Sequence, residues 1–389
     1  MDKVKFGIIG VGNMGFTHLG FFQSGQVKNG VCTAIADTSA QKLTAAKNNI
    51  PGDYAVYSSG EELIDRADID AVIIAVPHYL HPPLAIRAFR RGLHVICEKP
   101  AGVYTKQVKE MNAVAKQSKG LFTMMYNQRT NPLYKKMHDL VKNGEIGQIR
   151  RVNWIITNWF RTQYYYDSGS WRATWKGEGG GVLLNQCPHQ LDLLQWICGM
   201  MPAKVRAFCH FGKWHNIETE DDVTAYLEFP NGATGSFVTT TADSPGTNRF
   251  EICGSRGRLV CEKDELLIER LDTDLQDYLM HAKSAFGEPS HTTEIVSQSG
   301  DNPQHVGILN NFANAVLGLE PLYVDGQEGL KCVELMDSML LSSWEDRSVT
   351  LPIDDDYYYE RLQEHIAASK EKGTADLLID NTMSFGGTK

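Results

Sequence analysis

What this sequence lacks removes several classes of function before any motif is read. Its eight cysteines (Cys32, Cys97, Cys187, Cys198, Cys209, Cys253, Cys261 and Cys332) include no C-x-x-C pair. Several stand inside apolar runs, so they read as reduced core residues and not as disulfides or zinc ligands. Positive charge is short: 38 Lys and Arg against 47 Asp and Glu leave a formal net charge of −9. No global basic field is therefore available to hold a nucleic-acid backbone or an anionic membrane surface. Long apolar runs are missing too, and the opening "MDKVKFGIIGVG" reaches glycines after one short run, too short for a signal peptide or a spanning helix. Internal repeats and low-complexity segments are absent. A cytoplasmic protein with a small-molecule partner, without metal, nucleic acid or membrane, is expected.

What is present is ordinary globular material, 389 residues with 42% hydrophobic and 22% charged, enough for roughly two domains with full cores. From residue 3 to about 126, short β-rich runs ("VKFGII", "VCTAIAD", "YAVY", "DAVIIAV", "HVICEK", "LFTMMY") alternate with helical patterns. This alternation implies parallel pairing through right-handed crossovers, and runs apolar at consecutive positions imply helices on both faces. Residues 1–126 are accordingly expected to form a doubly wound Rossmann sheet. Beyond residue 127 the strand candidates lengthen ("GQIRRVNWIITNW", "DVTAYLEF", "ATGSFVTTTA"), with a Pro-Asn-Gly turn at 230–232 closing a hairpin. Residues 127–355 are expected to form a second α/β domain on a largely antiparallel sheet. A polar loop is expected near residues 284–304, and residues 356–389 are expected to form a C-terminal extension, a helix from Tyr357 and then a polar tail. An antiparallel sheet leaves one face open, which suits a homodimer or homotetramer.

The segment "FGIIGVGNMG" sets Gly10, Gly12 and Gly15 in G-x-G-x-x-G spacing between a strand and a helix that starts near Asn13 and Met14. Gly10 permits the tight turn, Gly12 lets backbone amides approach a pyrophosphate, and Gly15 lets helix and strand pack closely. Asp37 ends the next strand about 20 residues further on, where a carboxylate meets the ribose hydroxyls of the adenosine. Thr38 and Ser39 follow it, with no arginine. A carboxylate there repels a 2′-phosphate, so NAD is expected in preference to NADP. Pro77 and His81 follow "DAVIIAV" at the strand edge where open α/β sheets bind ligands. Pro77 shapes the cleft, and His81 either contacts the cofactor or opens a helix.

Glu98, Lys99 and Pro100 end "HVICEKP" at the same edge. An ammonium there donates to an alcohol or carbonyl oxygen and stabilises charge developing on it. The competing reading is a surface lysine paired with Glu98, which contributes little.

Taken in order, "GIIGVGNMG", the Pro77 and His81 loop, "EKP", "YNQRTNP", "GGGVLLNQCPHQLDLLQW" and the closing "SVTLP" resemble the Gfo/Idh/MocA oxidoreductases, NAD(P)-dependent sugar and cyclitol dehydrogenases. The resemblance spans about residues 3 to 353. It implies Lys99 at the catalytic centre and His189 as the acid-base residue. It also expects aspartate where this chain has Asn185, which can orient a substrate or an imidazole but cannot carry a proton.

Pro188 suits the first turn of a helix, so His189 projects from that turn with Asp192 on the same face. Asp192 is expected to hold the ring's tautomer and to serve the catalytic set with Lys99, His189 and Asn185. The stretch from Asn153 to Trp175 is dense in aromatics. Trp154 reads as sheet core, while Trp171 and Arg172, in a Gly-flanked loop, are expected to approach the cofactor or substrate. Asn127 and Arg129 follow the last Rossmann strand and either bind substrate hydroxyls or brace the domains. The function implied is an NAD-dependent dehydrogenase acting on a secondary alcohol of a sugar, glycoside or cyclitol. The alternatives are an NAD-dependent glycosidase working by transient oxidation and elimination, or a non-catalytic dinucleotide-binding regulator.

Overall fold

The structure is a computed structural model that describes residues 3–370 and 372. The six early runs become strands β1 (Val4–Ile9), β2 (Gly30–Ala36), β3 (Ala55–Tyr57), β4 (Ala71–Ile74), β5 (His94–Cys97) and β6 (Phe122–Met124). They pair in parallel in the order β3-β2-β1-β4-β5-β6. The order reverses at β1, and β1 and β4 are buried at nearly every position because helices cover both faces. The crevice between the carboxyl ends of β1 and β4 is where such a sheet binds ligands.

The second sheet contains β7 (Ile149–Ile156), β8 (Lys204–Phe211), β9 (Glu220–Glu228), β10 (Thr234–Thr240), β11 (Asn248–Gly254), β12 (Gly257–Glu262), β13 (Glu265–Leu271), β14 (His291–Ser297) and β15 (Val349–Thr350). Their order is β14-β13-β12-β11-β7-β10-β9-β8-β15. All neighbours are antiparallel except β7 and β10, which run parallel. The 230–232 turn closes the β9–β10 hairpin as expected, with Gly232 at φ +84° and the Asn231 side chain accepting from the Ala233 N–H. Val205, Leu227, Phe237 and Ile252 point inward, and Trp154 stacks on Phe250 with ring centroids 4.0 Å apart. Trp154 is thus sheet core. The helix Pro188–Cys198 is buried along almost its whole length, and Gly329–Trp344 at eleven of its 16 residues.

Two expectations need correction. The stretch around residues 284–304 is not simply a polar loop: His291–Ser297 adds edge strand β14, preceded by the helix Leu275–His281. Its β-branched Thr292, Thr293, Ile295 and Val296 suit a pleated ladder although the strand is almost wholly exposed. The last helix starts at Asp355 and not at Tyr357, because Asp354 caps it by accepting from the Asp356 and Tyr357 N–H groups. The expected polar tail beyond residue 372 lies outside the described residues. All eight cysteines are free thiols, seven of them buried. Among the described residues, no helix is long and apolar enough to cross a membrane.

Candidate active site

A cavity of about 910 Å³ runs from the carboxyl edge of the parallel sheet into the second domain. At one end Gly10, Gly12, Asn13 and Met14 line it. The helix Asn13–Gln23 begins there with no side-chain cap, so its first N–H groups face the cavity with their dipole. Gly10 has φ +86°, and a Cβ on it would stand 2.3 Å from the Ala75 carbonyl oxygen. A Cβ on Gly15 would stand 1.7 Å from the Gly10 carbonyl oxygen, so Gly15 packs the helix onto the turn and does not itself line the cavity. A Cβ on Gly12 would meet nothing within 4 Å. Gly12 therefore leaves space for something other than protein, and a dinucleotide pyrophosphate fits that space. Gly12→Ala is expected to fold with an unchanged Tm yet to weaken NADH binding about tenfold, a loss of about 1.4 kcal/mol. Titration of the variant by fluorescence checks this, and unchanged affinity would remove Gly12 from the cofactor site.

Asp37 rims the same end, its two oxygens accepting from the Val11 N–H at 2.9 Å and the Ser39 N–H at 2.8 Å. Lys42, from the following helix, lines that end as well and was not anticipated. Pro77 lines the middle of the cavity. His81 lines it too, but its Nδ1 and Nε2 stand 2.7 and 2.8 Å from the Pro100 and Val76 carbonyls. Its ring ties together the loops after β4 and β5, and His81 opens the helix His81–Arg90, the second of the two readings its position allowed. His78, its neighbour, lies edge-on to Trp171 at 5.6 Å between centroids.

Glu98 and Lys99 line the centre. Burial opposes charge on Glu98, but the His18 ring, 2.7 Å from its carboxylate, together with nearby His305 and Lys99 holds its pKa down to about 2. Glu98 is therefore paired with a buried histidine and not with the lysine beside it, so Lys99 is no surface ion pair. Lys99 Nζ instead donates to the Asn185 carbonyl oxygen at 2.9 Å, and burial lowers its pKa. His189 lines the cavity from the first turn of Pro188–Cys198, with its Nδ1 buried and without a hydrogen-bond partner. Burial, then the charges of Lys99 and His305, push its pKa well below the ordinary histidine value. Asn127, Trp171, Arg172 and Asn185 also line the cavity, and the Asn127 amide donates to Gln304 Oε1.

Asp192 and Arg129 are elsewhere. Arg129 Nε and Nη2 donate to the two Asp192 oxygens at 2.8 and 2.6 Å, and Arg129 Nη1 donates to Glu328. Both side chains of the central pair are almost fully buried, and neither lines the cavity. Burial works against the Arg129 charge, but the two carboxylates offset it and raise its pKa. Asp192 thus faces Arg129 and not the His189 ring, and Arg129 stands outside the cavity, where it braces the two domains. The planar guanidinium matches the carboxylate at two points, which an imidazole cannot do.

The sequence assigns no site role to Glu178, Arg161 or His305 and reads Tyr165 only as part of the aromatic-dense stretch, yet the four meet around the same site. Tyr165, Arg161 and His305 line the cavity, and Glu178 sits behind it, bonded to the Asn185 amide. Only Glu178 carried a local signal: a carboxylate set among four glycines in "GEGGG".

Two family models match this chain. Residues 4–126 match the oxidoreductase family with an NAD-binding Rossmann fold, and residues 134–260 match the GFO/IDH/MocA C-terminal domain. Together these segments cover more than half of the sequence. The chain belongs to the Gfo/Idh/MocA oxidoreductase family. Its relatives in that family include the 1,5-anhydro-D-fructose reductase of Ensifer adhaerens, 28% identical over 59% of this chain and 68% of that protein. The mouse trans-1,2-dihydrobenzene-1,2-diol dehydrogenase is 31% identical over 60% of this chain and 66% of that protein. For the first relatives the match spans about 61–68% of their length. Among solved structures, the WlbA dehydrogenase of Chromobacterium violaceum, in complex with NADH and UDP-GlcNAcA, superposes with a TM-score of 0.77 at 27% identity, covering 91% of this chain and 97% of that one. As a Gfo/Idh/MocA member the chain has an NAD-binding domain, and its cavity joins that domain to the second sheet.

Proposed function

We propose that this protein is an NAD-dependent dehydrogenase that oxidises a secondary alcohol of a sugar, glycoside or cyclitol, or reduces the corresponding ketone. The observation that carries the proposal is that Lys99, from the parallel-sheet domain, and a neutral His189 whose Nδ1 has no partner, from the second domain, line one cavity beside the glycine loop. Gly10, Gly12 and Asp37 would hold the dinucleotide, with Pro77, Trp171 and Arg172 along its course. NAD supplies a hydride acceptor when bound. His189, uncharged, takes the hydroxyl proton of the substrate. Lys99 donates to the same oxygen and stabilises the negative charge that builds there as the proton leaves. The Asn127 amide and the aromatic wall suit polyhydroxylated rings.

A panel of sugars, glycosides and inositols, read by NADH absorbance with NAD and with NADP, tests the reading. Net reduction of NAD by at least one member, with NAD favoured over NADP, is expected. Released aglycone without NADH would point to eliminative glycoside cleavage, and a preference for NADP would show that Lys42 outweighs Asp37. The pH dependence follows from the directions of the shifts. Because the His189 pKa is depressed, the base form persists into acid, and the acid limb of kcat for oxidation should have its midpoint below 6.5. Lys99 is also depressed, so the alkaline limb should fall below 10.5. An acid limb above pH 7 would assign the base to another group.

The open face of the second sheet, which carries exposed Phe208, Tyr226 and Ile155, is the surface we assign to a homodimer or homotetramer. A monomeric mass by light scattering would end that reading.

A further inference from the structure

Asn185 stands where the resemblance leads one to expect an aspartate, yet its surroundings are not those of a neutral site. Its side-chain nitrogen donates to Glu178 Oε1, and the other Glu178 oxygen accepts from the Ala173 N–H. Its side-chain oxygen accepts from the Tyr165 hydroxyl at 3.3 Å and from Gln186 Nε2 at 3.1 Å. Its backbone oxygen accepts from Lys99 Nζ. The Tyr165 hydroxyl in turn accepts from Arg172 Nη1 at 2.8 Å. Glu178 is 2% exposed. Burial raises its pKa above the ordinary glutamate value, and Arg172, the Ala173 and Asn185 donors and Lys372 offset that push only in part. Both groups on its oxygens are donors, an arrangement that a carboxylate satisfies without needing an acceptor for a proton of its own. A buried anion is maintained only by such donors and cations.

We propose that Glu178 is the positioning carboxylate of the site: by holding the Asn185 amide it fixes the carbonyl that orients Lys99, and it supplies, one hydrogen bond further out, the negative charge that Asn185 lacks. This rests on the dehydrogenase reading for its effect on turnover, but not for its effect on Lys99. The carboxylate acts through Asn185 and touches neither substrate nor cofactor. The donors dictate the test. In Glu178→Gln the new amide cannot accept from both Asn185 and Ala173, so one contact becomes donor against donor. In Asn185→Asp two carboxylates face each other at hydrogen-bonding distance. In the double variant, which carries Asn185→Asp together with Glu178→Gln, every partner is matched again. The introduced glutamine nitrogen donates to the introduced carboxylate, and the glutamine oxygen accepts from the Ala173 N–H.

The three variants should be compared with the parent by kcat and KM on the best substrate of the panel. Thermal unfolding checks that each folds. The titration of Lys99 in the free protein is read by competitive labelling with acetic anhydride and peptide mass spectrometry. Each single variant should lose on the order of 100-fold in kcat with KM for NAD nearly unchanged. Lys99 should titrate at lower pH in Glu178→Gln, and the double variant should regain most of both properties. A double variant no better than Glu178→Gln, or a Glu178→Gln protein with unaltered kcat and Lys99 titration, overturns the proposal. If the parent turns over nothing in the panel, the dehydrogenase reading fails, while the labelling of Lys99 still decides the role of Glu178.

Discussion

Replacing His189 by alanine is expected to lower kcat by about 10²- to 10⁴-fold, and Lys99→Ala by about 10²- to 10³-fold, with NADH still bound by both proteins. The two effects have different causes. His189 is a buried ring with a depressed pKa, so at neutral pH it is ready to accept a proton. Alanine leaves only solvent to do so. Lys99 carries a charge that burial makes expensive, and its position against the Asn185 carbonyl aims that charge at the cavity. Its loss removes a donor to the oxygen where charge develops. A second signature separates them: His189→Ala should lose the acid limb of the pH profile, and Lys99→Ala the alkaline one. Stopped-flow or steady-state NADH absorbance on the best panel substrate measures both. Two variants with normal kcat would show that the reaction, whatever it is, uses other groups.

The second large effect concerns stability and not turnover. Asp192→Ala should destabilise the fold by about 3–5 kcal/mol, because it leaves Arg129 buried with its main counter-charge gone. Arg129 also bonds to Glu328, which is only partly buried, and that contact satisfies one nitrogen and not the other two. Arg129 comes from the turn after β6 and Asp192 from the helix Pro188–Cys198, so the loss falls on the domain junction. Denaturant unfolding of the parent and the variant reads it. If Asp192→Ala instead left stability unchanged and abolished the acid limb of the pH profile, Asp192 would be a partner of His189 after all.

The parallel sheet, the β9–β10 hairpin and the His189 helix were legible because their signals are local: consecutive apolar residues, a Pro-Asn-Gly turn, and proline in a first turn. The glycine loop was legible for the same reason, since each glycine answers a steric demand within a few residues. Asp192 was misread because one turn of helix brings it near His189 in sequence logic, while its true partner lies 63 positions away. The place of His305 and Tyr165 was missed likewise, as nothing in "NPQHVGIL" or "RTQYYYD" indicates that they line the same cavity as Lys99. Strand β14 was missed because its residues are mostly polar and almost all of them face solvent, so no burial pattern marks them.

The division of labour across the cavity has a further meaning. Lys99 lies just beyond β5 of the first sheet, while His189 and Asn185 belong to helices of the second domain. If Lys99 and His189 have the roles proposed for them, neither half of the chain holds a complete reaction centre, and turnover measures the seating of one half against the other as much as it measures chemistry. An injury far from the cavity that shifts this seating would appear in kinetics as a damaged catalyst with intact dinucleotide affinity.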